Sequence, residues 1–453
     1  MRPFNMLEGS VWKSVVRFSV PMFFTYLIQL LYHTTDTLFV GRFLGTNAQA
    51  AVGTGGNLIT LIIGLLGGIT TGVGVVIGHH YGAKDKEGLS RATTTAAVLV
   101  LAMSALFTLF GVFFCGTYLR LVHTPEEIFP TAVQYLRVYC LSIPAMVTYN
   151  VAVGMLRATG DSFRPMLFQL GGGILNLGLD ALFLAALKTG AVGSAWGTLI
   201  AQTLVAAVAV MYLLRQNEVF VLRKTPGTYL WNETKNILSI GLPAGLQAML
   251  ITLSNVLITA EINRFGPVTI AAFSVYFEVE LLLFYPILSF GQATSVFVSQ
   301  NLGARQTERV HSGIRTILGL GTGFTVAMSA VCVLLSELLF SAFSKDPDVI
   351  ALGMSMVRIT FPLYFIYVFL QVLGDALRAM QHSFGVMLTV LLNIGLARVL
   401  IMYLLLHAYG TVQAFVVVYP ITWFTAAVSM AVLYIAKTKI KKKGEDSYET
   451  QIA

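Results

Sequence analysis

Long apolar runs alternate with short polar segments from one end of the chain to the other. Runs of about 20 residues or more, enough for a helix to cross the hydrocarbon of a bilayer, fall near 15–38, 52–80, 94–119, 132–156, 166–187 and 190–214. Six more follow near 237–260, 268–299, 314–342, 350–376, 386–409 and 412–436. The pattern predicts an all-α integral membrane protein with twelve transmembrane helices. The second and eighth runs, about 30 residues each, predict helices that tilt or extend beyond the bilayer.

Composition agrees. Of 453 residues, 56% are hydrophobic and 11% charged, whereas a soluble domain is about 25% charged. One polytopic bundle therefore replaces the prior of about three soluble domains for this length. The net charge of +8 does not imply nucleic acid, because a nucleic-acid binder clusters Lys and Arg on a soluble face. Here those residues mark the ends of apolar runs, and the expected partner is the lipid bilayer. With the N-terminus inside, cytoplasmic segments hold 21 of the 29 Lys and Arg, including Lys84, Lys86, Arg91, Arg223, Lys224, Arg305, Arg309 and the tail "KTKIKKK". Outer loops hold Arg42, Arg120, Lys188, Arg264 and Lys345, while Arg137, Arg358 and Arg398 lie within or at the edge of spans. By the positive-inside rule both termini face the cytoplasm of a plasma-membrane protein. The first apolar run is too long for a signal-peptide core and no small-residue cleavage site follows it, so the N-terminus is expected to stay. Cys115, Cys140 and Cys332 fit neither a zinc nor a redox spacing, and no cofactor is expected.

Self-comparison yields an internal repeat with an offset of 221 residues. "LRATGDSFRPM" at 156–166 matches "LRAMQHSFGVM" at 377–387, and "GAKD" from Gly82 matches "GARQ" from Gly303. Arg137 falls on Arg358 and Ala50-Ala51 on Ala271-Ala272; after a four-residue slip, "NLGL" at 176–179 falls on "NIGL" at 393–396. Two homologous six-helix lobes follow, 1–214 and 237–436, joined by a linker at 215–236 and followed by a basic tail at 437–453. Six is even, so the halves form a parallel repeat, related by an axis along the membrane normal. A substrate site is expected between them.

The acids inside the apolar runs are the candidate chemistry, since each costs roughly 2.5 to 3.5 kcal/mol on insertion scales. At 1.5 Å per residue, Asp36 lies roughly 9 Å from the level of Arg42, Asp180 roughly 12 Å and Thr198 roughly 15 Å from that of Lys188. Tyr32 with Asp36, and Asn176 with Asp180, are four apart and so share a helical face. Two carboxylates brought together would raise one pKa and hold a proton; with Asn and Thr oxygens the same cage could take Na+. Under the repeat, Asp36 falls on Leu257 and Asp180 on Ala397, while Asn176 keeps Asn393. Acids required by the fold would appear in both halves.

Several motifs resemble the multidrug and toxic compound extrusion (MATE) family over nearly the whole chain. They are "DTLFVGRFLG", "GHHYGAKD", "LRATGDSFRPM", "NLGLDALF", "GLPAGLQAML" and "SQNLGAR". The resemblance implies a V-shaped pair of lobes exporting cationic, amphipathic organic compounds against inward H+ or Na+. It also implies a cation site at Asp36, Asp180, Asn176 and Thr198. One branch of the family has acids in helices 7 and 10, where this chain has Ile251 and Val368, so that branch's carboxyl-lobe site does not carry over.

Other features have plainer readings. Of Glu278 and Glu280, two apart and hence not on one face, the deeper Glu278 is the secondary candidate, beside Tyr32. Glu261 reads as interfacial, and Asp375 as the partner of Arg378 three residues on. The glycine-rich "GLLGGITTGVGVVIG" lies within an apolar span and reads as close helix packing. Adjacent His79 and His80 lack a metal-ligand spacing, and Arg137 and Arg358 read as interface anchors. Enzyme motifs such as a nucleophile elbow or H-E-x-x-H are missing. The expected protein is a monomeric, cofactor-free secondary exporter of small organic cations. The rival reading is a lipid-linked oligosaccharide flippase or metabolite exporter of the same superfamily; twelve spans and an acidic pair argue against the flippase.

Overall fold

The computed structural model describes residues 6–216, 219–223 and 225–443, with the side chains of 32–38, 46, 47, 57 and 439–443 outside the described set. All regular elements among the described residues are helical. Ten helices are long and apolar enough to cross a membrane, and counting each of two bent pairs as one span raises the number to twelve.

The first series begins with α1 (Val11–Leu44), α2 (Thr46–Gly82) and α3 (Lys86–Leu121). The span α4 is a bent pair, Phe129–Leu141 and Ile143–Ala158, turning through 41°. Next, α5 (Phe163–Asp180) continues as a π-helical segment, Ala181–Ala186, before α6 (Ala191–Arg215). The second series follows the same plan with α7 (Gly227–Ile262), α8 (Pro267–Gly303) and α9 (Thr307–Leu334). Its bent span α10 (Pro347–Thr360 and Phe365–Ala379) turns through 51°. Finally, α11 runs as Ser383–Val390, a π-helical Leu391–Ala397 and Arg398–Tyr409, and α12 is Val412–Lys443. Each bend has a proline at its corner, Pro144 in α4 and Pro362 in α10. Proline lacks the N–H and crowds the preceding turn, which accounts for the bend.

The backbone repeats where side chains have diverged. Left-handed residues pair as Gly45 (φ 81°) with Gly266 (φ 90°), Lys84 (φ 55°) with Arg305 (φ 58°), and Gly160 (φ 92°) with Gln381 (φ 65°). Every pair is separated by the 221 residues of the sequence repeat.

Packing divides the chain into two units, Met1–Ala248 with Ser299–Thr307, and Met249–Val298 with Glu308–Ala453. Helices α7 and α8 therefore contribute to both. In the first unit the glycine-rich stretch of α2 is a packing surface. A Cβ on Gly68 would collide with the backbone of Gly245, and one on Gly72 with the carbonyl of Ile237. Further along α2 the contact becomes reciprocal: a Cβ on Gly82 would strike the carbonyl of Gln300, and one on Gly303 the carbonyl of His79. Gly82 and Gly303, like His79 and Gln300, are repeat equivalents.

Residues 219–223 of the linker are strapped to α3. Ser90 Oγ donates to the Val221 carbonyl at 2.8 Å, Thr94 Oγ1 to that of Arg223 at 3.3 Å, and Phe220 is buried. His80 lies between two carboxylates, Asp85 at 3.1 Å and Glu233 at 3.4 Å. No group of three metal-ligating side chains occurs among the described residues. Asp85 caps α3 by accepting the Gly88 N–H at 2.9 Å. Burial raises its carboxyl pKa, but that bond and neighbouring His80 outweigh burial and hold it below the usual carboxylate range. Large apolar side chains on α3, α9 and α11, including Leu101, Phe113, Leu334 and Leu400, are exposed, as on helices surrounded by lipid.

Candidate functional site

The α-helical part of α5 ends at Asp180, where the backbone widens into the π-helical segment. Such widenings occur frequently at functional sites. Asn176 and Asp180 are one turn apart on the buried face, 2% and 1% exposed, and Thr198 on α6 is 2% exposed. Asn176 Nδ2 donates to Thr198 Oγ1 at 3.4 Å. Three of the four principal residues expected from the sequence are thus brought together inside the first unit.

Gly197, which sequence reasoning missed, makes this approach possible. A Cβ there would lie 2.9 Å from Asp180 Oδ1 and 3.4 Å from Leu179 Cβ, so any larger residue would push the carboxylate aside. Its only signal in the sequence is its position beside Thr198. Helix α1 packs along α5, the π-helical segment and α6, and Ile28 Cγ2 lies 3.8 Å from where a Cβ on Gly173 would sit. The side chains of Tyr32 and Asp36 lie outside the described residues.

A carboxylate with amide and hydroxyl oxygens around it is a set of hard donors. It can take up a proton, which neutralises a charge that is costly to bury, or hold a hard cation through oxygen ligands.

The second unit also has a π-helical segment in the equivalent helix, but on the other side of the equivalent position, and it changes the chemistry. In α11 the π-helical segment ends at Ala397, the counterpart of Asp180. Asn393, the counterpart of Asn176, donates to the Thr389 carbonyl at 2.9 Å and to Ser429 Oγ at 3.4 Å. The next residue, Arg398, is 5% exposed; its Nε donates to Thr422 Oγ1 at 3.4 Å and its guanidinium lies over the Tyr419 ring at 5.1 Å. Depth along α8 ranked Glu278 ahead of Glu280, but the structure exposes Glu278 and brings Glu280 to Tyr364, whose hydroxyl donates to Oε1 at 3.0 Å. Sequence reading missed this cluster because its members come from four helices with no shared spacing. The sequence signals were an acid and an arginine inside apolar runs.

Two further acids singled out in the sequence have structural partners. Asp375 pairs with Arg378 and accepts from Gln371 Nε2 at 2.7 Å. Glu261 pairs with Arg264 at 3.0 Å beside a surface groove of about 400 Å³ that includes Tyr403 and His407. Arg137 and Arg358 are exposed, as interface anchors would be.

A family model described as MatE matches the chain twice, over residues 21–182 and 243–404, at nearly the spacing of the internal repeat. The chain is similar to the "Probable multidrug resistance protein YpnP" of Bacillus subtilis (strain 168), 27% identical over 392 residues that cover 86% of each chain. It is also similar to the "Probable multidrug resistance protein YoeA" of the same organism, 27% identical over 379 residues covering 82% of each. A solved multidrug resistance MATE family transporter of the MOP superfamily, in an outward-facing conformation, matches with a TM-score of 0.89 at 23% identity. That match covers 98% of this chain and 99% of the other, and at this identity it speaks to the fold alone.

Proposed function

The chain belongs to the MatE family of membrane transporters, and from that premise we propose that it is a secondary exporter of amphipathic organic cations driven by inward H+ or Na+. The observation that carries the reading is the carboxylate of Asp180, buried with Asn176 and Thr198 at the π-helical break of α5, where the second copy has Ala397. Asp36 completes the site. From the place where Ile28 meets Gly173, eight residues along α1 lead to Asp36 and seven along α5 lead to Asp180. The excess of Lys and Arg on one side orients both termini toward the cytoplasm of a plasma membrane.

Cation binding by the two carboxylates favours one conformation of the amino-terminal lobe, and drug binding favours the other. Coupling then follows from the difference in affinity between the two states. The test is dye efflux in inverted vesicles under separately imposed pH and Na+ gradients. Asp36→Asn and Asp180→Asn are each expected to reduce gradient-driven efflux by about tenfold or more, equivalent to at least about 1.4 kcal/mol of lost coupling. Coupled efflux left intact in both variants would remove these residues from the mechanism. A wild type that moves no cationic dye would redirect the search to lipid or metabolite substrates.

A further inference from the structure

Arg398 is a buried guanidinium that the site in the first unit does not use. Arginine does not lose its proton in proteins, and a buried charge is costly unless another compensates it. Among the described residues its Nε bonds only the neutral Thr422 hydroxyl and its face meets only the Tyr419 ring. The carboxylate of this cluster is Glu280: Tyr364, whose hydroxyl donates to it, and Tyr419, whose ring lies against the Arg398 guanidinium, both pack on Trp423.

The titratable groups around Glu280 come from four helices. They are Tyr276 on α8, Tyr364 and Tyr367 on α10, Arg398 on α11 and Tyr419 on α12. Asp375 and Arg378 also bear on Tyr367 and are already paired with each other. Trp423 of α12 lies against this group, its ring 4.8 Å from that of Tyr364.

We propose that Glu280 is a proton-binding site of the second unit, with Tyr364 holding its carboxylate and Arg398 acting as its positioning counter-charge. The ligand is H+ and not Na+. A sodium ion would have to settle beside a permanent cation, whereas a proton bonds to a carboxylate oxygen and leaves the other oxygen to accept from Tyr364. In the ionised state the pair is neutral. Protonation leaves the charge of Arg398 uncompensated and favours whichever arrangement of α8 and α11 gives the guanidinium more polar surroundings, which links proton uptake to conformation. The role of this linkage in export rests on the transporter reading above; proton binding does not.

Trp423 provides a readout independent of transport. In full-length protein with Trp12, Trp196 and Trp231 replaced by Phe, Trp423 is the remaining tryptophan of four. Its emission, titrated against pH with and without Na+, is expected to change in one step whose midpoint Na+ does not move. Glu280→Gln abolishes the step. Arg398→Gln moves the midpoint to higher pH by about one unit, since removing a neighbouring cation disfavours the carboxylate, while Arg398→Lys keeps it near wild type. Asp180→Asn leaves the step in place. Should Glu280→Gln not fold, Tyr364→Phe must shift the midpoint. An absent step in wild type, a step that survives Glu280→Gln, a midpoint that follows Na+, or an unmoved midpoint in Arg398→Gln or Tyr364→Phe would each overturn the proposal. Failure of dye efflux alone would sink the export reading and leave this titration standing.

Discussion

Asp180 and Ala397 occupy the same place in two copies of one plan, and only Asp180 carries a charge. Its neighbours Asn176 and Thr198 were legible in the sequence because helical rise and spacing place polar groups at a common depth. Gly197 and Arg398 were not, because a missing Cβ and a contact across helices leave no mark on periodicity. Gly197→Ala tests the close approach: crowding the carboxylate by one methyl is expected to slow gradient-driven efflux about tenfold, within the cost of misplacing a buried polar group, with expression unchanged. A wild-type rate in that variant would show that Asp180 tolerates displacement. Outside the spans, Asp85 offers a pH signature. Its folded pKa is depressed, so its stabilisation is present above the unfolded carboxylate value of about 3.9 and is lost as pH falls through the lower folded value. Melting curves should therefore show wild type above Asp85→Asn at neutral pH and the gap closing below about pH 4.

At the scale of elements, the spans were readable because lipid demands long apolar helices. The breaks within them were not. One extra residue in a π-helical turn, or a proline corner in α4 or α10, leaves the apolar run intact. The left-handed turns show how firmly the plan is held, since Gln381 adopts φ 65° where its counterpart is Gly160. A non-glycine residue there is strained by roughly 1 kcal/mol. Gln381→Gly is expected to raise the melting temperature and Gly160→Gln to lower it, each by about 1 kcal/mol in stability. Equal melting of all three proteins would show that the turn is not under strain.

For the whole molecule, the repeat was legible from a constant offset, whereas the units of packing were not, because α7 and α8 each run through both. Covalent order does not reveal where a long helix changes neighbours. The reciprocal contact of Gly82 with Gln300 and of Gly303 with His79 does not depend on the linker. Residues 1–216 and 227–453, co-expressed as separate chains, are therefore expected to co-purify, and Gly82→Leu to weaken that association at least tenfold, as overpacking by 1 to 3 kcal/mol would. Chains that never associate would assign the pairing to the linker. A contact in which each residue meets the other copy's counterpart is what a symmetric homodimer makes. Two identical six-helix chains carrying this one glycine would make the contact twice. Within one chain each half is guaranteed its partner, and the two halves need not be identical: one has a carboxylate at Asp180 where the other has Ala397 followed by the arginine Arg398.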